Sequence, residues 1–121
     1  MRTRRLDRIV TRLYDDALRP LGLKSTQLAL LVGISEGATS PLLLGQAFEA
    51  EKSTVSRNVG RLVERGWVEV SEAAEGRGQQ LALTSEGQAL LVAARKPWVE
   101  AQRRVRALLG DETADALAGS W

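Results

Sequence analysis

The amino-acid sequence predicts a mainly helical fold carrying one small β-hairpin. Three observations point there. Apolar residues recur at three- and four-residue spacing from Arg5 to Leu18, as on one face of a helix. A basic amphipathic stretch runs from Ser53 and stops at Gly66. Two short runs, Trp67–Val70 and Leu81–Thr84, alternate apolar and polar residues and flank a loop with Gly76 and Gly78 around Arg77.

The first helix places Leu6, Ile9, Val10, Leu13, Ala17 and Leu18 on one stripe and ends at Pro20 and Gly22. A second begins at Lys24 or Ser25, passes through Gln27, Leu28, Leu30, Leu31 and Val32, and closes between Gly33 and Gly37. Ser40 followed by Pro41 is a cap with proline at the first helical position; it opens a third helix through Leu43, Leu44, Ala47 and Phe48.

Ser53 or Glu51 caps the fourth helix by accepting from an unpaired first-turn amide, and Gly66 suits the left-handed residue that closes it. At about 100° per residue, Val55, Val59, Leu62 and Val63 share an arc of roughly 100°. Ser53, Thr54, Arg57, Gly60 and Arg61 lie opposite. Arg57, Arg61 and Arg65 follow one i, i+4, i+8 row, and Glu64 is the lone acid between Ser53 and Gly66. Helices three and four together read as a helix-turn-helix.

The hairpin follows, and its loop from Ser71 to Gln80 is too long for a tight turn, so it projects. Thr84 or Ser85 caps a long helix, with Gln88 completing a capping box on Ser85. That helix runs through Leu90, Leu91, Ala94, Trp98, Val105 and Leu108, and Pro97 is expected to bend or break it. Asp111 caps a last short helix through Ala114 and Leu117.

The chain of 121 residues fits one domain. Its net charge is only +2, so the placement of arginines carries more weight than their number. Cysteine and histidine are both absent, which removes disulfides, thiol redox chemistry, Cys/His zinc sites and the usual catalytic dyads. No metal or cofactor is expected. The acid pairs Asp15–Asp16 and Glu49/Glu51 sit at helix ends without a nucleophile and base beside them, so an enzyme is not expected either. The basic N-terminus lacks the apolar core of a secretory signal and no apolar run reaches membrane-spanning length, which reads as a soluble cytoplasmic protein.

A cationic helix face with small side chains can approach base edges, and arginine can fork onto guanine or grip phosphate. An arginine at a projecting tip suits the narrow minor groove of A/T-rich DNA. The bland alternatives are a solvated arginine face, and an Arg77 held by Glu75 or Glu72. The stripes of the first and long helices, with Trp98 and Trp121, exceed what a compact centre covers, so pairing with a second copy is expected; mutual packing of the two is the alternative.

The strings GLKSTQLALL, STVSRNVGRLVERGWVEV and EGRGQQLALTSEG, in this order, resemble the multiple-antibiotic-resistance regulator (MarR) family of bacterial transcription factors, from about Leu6 to Leu109. The resemblance implies a homodimeric winged helix-turn-helix regulator, most naturally a repressor, on pseudo-palindromic double-stranded DNA. The DNA-binding lobe would span residues 24–84, with dimerisation helices in 1–22 and 85–121. Ser53, Thr54, Ser56, Arg57 and Arg61 match the groove-facing part of the recognition helix, and Arg77 matches the wing tip. Glu75 stands for the usual aspartate, Val70 for an arginine common in relatives, and Gly45 for an alanine. Many relatives release DNA on binding a small aromatic or phenolic acid in a cleft. Tyr14, Trp67, Arg95 and Trp98 would line it here, the alternative being that the aromatics are core and Arg95 is plain surface. The other function class is a winged-helix protein–protein module without specific DNA binding.

Overall fold

The computed structural model describes residues 2–73 and 78–110, with side chains from residue 7 onward. Glu75, Arg77, Trp121 and the short helix expected after Asp111 lie outside the described residues. Five helices and two strands follow in order: α1 (Arg2–Leu18), a 3₁₀ turn (Arg19–Leu21), α2 (Ser25–Ser35), α3 (Pro41–Phe48), α4 (Lys52–Glu64), β1 (Val68–Glu72), β2 (Gln79–Leu83) and α5 (Ser85–Leu109). They form two compact units. One gathers α1, the 3₁₀ turn and α5 from Ala93; the other is Thr26–Val92.

In the first unit, the three–four spacing of α1 becomes a packing face. Val10 and Tyr14 are buried with Ala101 and Val105 of α5, and Leu13, Ala17, Trp98 and Leu109 pack against them. The Tyr14 and Trp98 rings stack with centroids 5.9 Å apart and planes 21° apart. Burial raises the Tyr14 hydroxyl above its ordinary pKa of 10.0, although the nearby Arg106 charge pulls the other way. The stripe is not wholly covered within the chain: Ile9 is 48% and Leu108 65% exposed.

The two neighbouring acids of α1 both have structural work. Asp15 accepts from the Ser25 backbone N–H at 2.7 Å, so a carboxylate caps the start of α2. Asp16 pairs with Arg19. Neither is left over for chemistry. Pro97 does not break the long helix in two: one helix, Ser85–Leu109, runs through it. Its missing N–H leaves the carbonyl four residues back, that of Ala93, without its helical partner.

The second unit buries Leu28, Leu31, Ile34, Leu44, Val55, Val59, Leu62, Val68 and Leu81, an aliphatic core as the scarcity of aromatics requires. The Ser40 hydroxyl accepts from the Leu43 N–H at 3.1 Å and Pro41 stands in the first turn, so α3 opens as its sequence predicts. It ends on Glu49 in the left-handed region, φ 51°. There the Ala50 N–H donates to the Gly45 carbonyl at 2.9 Å. A Cβ at residue 45 would come 3.0 Å from the Ala50 carbonyl oxygen, so the tight turn between α3 and α4 accounts for a glycine that helix preference disfavours.

α4 opens differently from expectation. Glu51 occupies the cap position, but its side chain makes no capping bond, and Ser53 lies inside the helix. Its far end closes on Gly66 at φ 79°, with the Gly66 N–H on the Val63 carbonyl at 2.9 Å and the Trp67 N–H on the Leu62 carbonyl at 3.0 Å. That pair of bonds is a Schellman motif. Val63, predicted on the buried arc, is 39% exposed, so the apolar face is narrower than the spacing suggests.

The strands are antiparallel, with Val68 opposite Leu83 and Val70 opposite Leu81. Alternation was expected to bury Val70; it is 39% exposed, and Val68 alone is buried in β1. A bond from the Leu81 N–H to the Thr39 carbonyl, 2.8 Å, ties the hairpin to the loop before α3. The Thr84 hydroxyl accepts from the Gly87 N–H at 3.0 Å, which makes Thr84 the cap of α5. The Ser85–Gln88 capping box would need the cap one residue later. No helix among the described residues is long and apolar enough to cross a membrane.

Candidate nucleic-acid interface

The thirteen residues of α4 make a rod about 20 Å long. Its inner side is set by burial of Val55, Val59 and Leu62, which leaves Ser53, Thr54, Ser56, Arg57, Gly60 and Arg61 exposed. Arg57 and Arg61 are one turn apart on that outer side. Ser53, Thr54, Ser56 and Gly60 beside them keep the surface low, so the backbone can come near a flat ligand while the guanidinium groups reach past it. Nothing acidic stands in the first turn, where the helix dipole already favours an anion.

Arg65 is the exception in the predicted row of three. Its guanidinium lies over the Trp67 ring, 4.3 Å from the centroid. Attraction to the ring face outweighs alignment with its neighbours, a contact worth about 0.5–1 kcal/mol at a surface. Arg57 and Arg61 therefore form the cationic pair of the outer face, with Lys52 exposed at the start of the helix.

The hairpin beside α4 has a different character. Glu69, Ser71, Glu72, Gln79 and Gln80 are exposed, and neither strand carries a lysine or arginine. The strand stems are thus poor phosphate contacts. A cationic role for the wing would rest on Arg77.

The four candidates for a ligand cleft fall into separate settings. Tyr14 and Trp98 are stacked on each other, with Tyr14 buried and Trp98 half-buried. Arg95 is exposed on α5. Trp67 is buried in the other unit under Arg65. Among the described residues, no cluster of three or more acids suits a metal ion.

Sequence reasoning missed how the end of α4 is held. The Thr84 hydroxyl, which caps α5, also donates to the Gly66 carbonyl at 2.6 Å, and the Thr84 N–H donates to the Trp67 carbonyl at 3.0 Å. Thr84 reads locally as a cap of α5, and a bond that spans eighteen residues leaves no mark in the spacing around it.

A model of the MarR family matches residues 21–78. The transcriptional regulator MosR of M. tuberculosis, solved in complex with DNA, is 34% identical; the match covers 97% of this chain and 88% of that one, with a TM-score of 0.84. A cysteine-to-serine mutant of MarR from E. coli, complexed with operator DNA, has a TM-score of 0.86 at 23% identity, over 96% of this chain and 85% of that one. A MarR-family regulator from Rhodococcus sp. RHA1 scores 0.81, also at 23% identity, over 96% and 85%. The last two show likeness of fold. No curated protein matches the sequence.

Proposed function

Since the chain belongs to the MarR family, whose members are transcription regulators and not enzymes, we propose that it is a sequence-specific double-stranded DNA-binding repressor. In this reading a homodimer lays two copies of α4 in successive major grooves of a pseudo-palindromic operator, roughly one helical turn apart. Ser53, Thr54, Ser56, Arg57 and Arg61 face the bases and phosphates. Arg77 enters the flanking minor groove, a role that rests on its place in the sequence. The carrying observation is the sidedness of α4: one side buried as core, the other exposed, cationic and built on small side chains.

Exposed Ile9 and Leu108 support a second copy as the cover for the first unit. Release by a small aromatic or phenolic acid is the further part of the proposal. Arg95 is exposed for its carboxylate, and half-buried Trp98, one turn on, offers an aromatic edge. Such a regulator acts in the cytoplasm, on chromosomal DNA.

Selecting bound duplexes from a random library tests the reading. The expected product is one symmetric site with two half-sites, bound more weakly as salt rises. Arg57→Ala should cost about 1–3 kcal/mol and blur one position in each half-site. A protein that enriches no duplex, or binds all alike, is a protein–protein module instead.

A further inference from the structure

The directional bonds that locate α4 are concentrated at its C-terminal end. At its start no side chain caps it, and along its length it is held by Val55, Val59 and Leu62. Apolar contacts of that kind fix depth well and roll about the helix axis poorly, because they have no preferred direction. At Gly66–Trp67 the situation changes. Thr84 donates its hydroxyl to the Gly66 carbonyl at 2.6 Å and its N–H to the Trp67 carbonyl at 3.0 Å. The same hydroxyl accepts from the Gly87 N–H at 3.0 Å, so it cannot turn away without uncapping α5. Gly87 lies so close to the Trp67 carbonyl that a Cβ there would overlap the oxygen and come within 3.0 Å of the carbon.

We propose that Thr84 is a positioning residue for DNA reading: through its hydroxyl, the first turn of α5 sets the roll of α4 and hence where Arg57 and Arg61 point. This rests on the DNA-binding reading above. The magnitudes are sufficient. A roll of about 20° moves a group roughly 6 Å from the helix axis by about 2 Å, which exceeds the range over which a forked arginine–guanine bond survives. Phosphate contacts tolerate such a shift better, since they depend on charge more than on angle. Losing the hydroxyl should therefore cost specificity and spare non-specific affinity.

The test compares full-length wild type, Thr84→Val and Thr84→Ser on the duplex selected by the wild type and on a scrambled duplex of equal length. Thr84→Val keeps the shape and removes the hydroxyl; Thr84→Ser restores it. The expected result is a specific-to-scrambled affinity ratio that falls roughly tenfold in Thr84→Val. Scrambled-duplex affinity should stay within about twofold, and Thr84→Ser should recover the ratio. Should Thr84→Val lack a cooperative melt, Thr84→Cys, a weaker donor and acceptor, is read by the same criteria. A ratio unchanged in the folded variant overturns the proposal, as does a serine variant that behaves like valine. A wild type that prefers no duplex overturns the DNA-binding reading and this proposal with it.

Discussion

A methyl group at residue 87 meets the Trp67 carbonyl, where the start of α5 lies against the residues that follow α4. Glycine to alanine inside a helix ordinarily stabilises by about 0.5–1 kcal/mol. Gly87→Ala should reverse that sign and destabilise by about 1–3 kcal/mol, because backbone must shift to admit the carbon. Urea melts of the two proteins decide it, and a gain in stability would mean that the approach is looser than described. Single residues of this kind are hard to read from sequence. Gly66 is legible because a helix stop needs a positive φ locally, whereas Gly87 and Gly45 are dictated by backbone that arrives from elsewhere.

Among the elements, those governed by neighbours in sequence are where the pattern puts them. Ser40 with Pro41 starts α3, Gly66 ends α4, and Thr84 starts α5. Departures arise where an element meets a distant one. Val63 and Val70 have the right spacing for burial but no distant element covers them fully, whereas Arg65 leaves its row for a ring only two residues on, that of Trp67. The α1–α5 packing makes a further prediction. Tyr14 holds its proton more tightly when folded than when unfolded, because burial disfavours the phenolate. Its contribution to stability is complete below the ordinary pKa of 10.0 and is lost as pH rises through the higher folded value. Thermal melts between pH 9 and about 11 should fall more steeply for wild type than for Tyr14→Phe. Parallel curves would show that Tyr14 ionises equally well in both states.

For the whole molecule, the proposed function requires pairing to turn one reading helix into a specific binder. In that reading a single α4 with acidic strand stems beside it would contact few phosphates, and joining two half-sites would raise affinity by about 10²–10⁴ without new contacts. Leu108→Glu, placed on an apolar residue left 65% exposed, should shift the protein toward monomer in sedimentation and weaken operator binding by at least roughly 100-fold. A variant that stays dimeric with full affinity would remove Leu108 from the interface.

By itself the sequence determined the types and order of the described elements, the cap of α3, the glycine stop of α4, and the cationic, small-residue face of α4. Each follows from side chains acting within a few residues of themselves. Tertiary structure alone decided which apolar residues are covered, that Asp15 caps α2 across ten residues, and that one threonine hydroxyl joins the ends of two helices. Those outcomes depend on which surfaces meet in three dimensions, and periodicity along a chain carries no record of that.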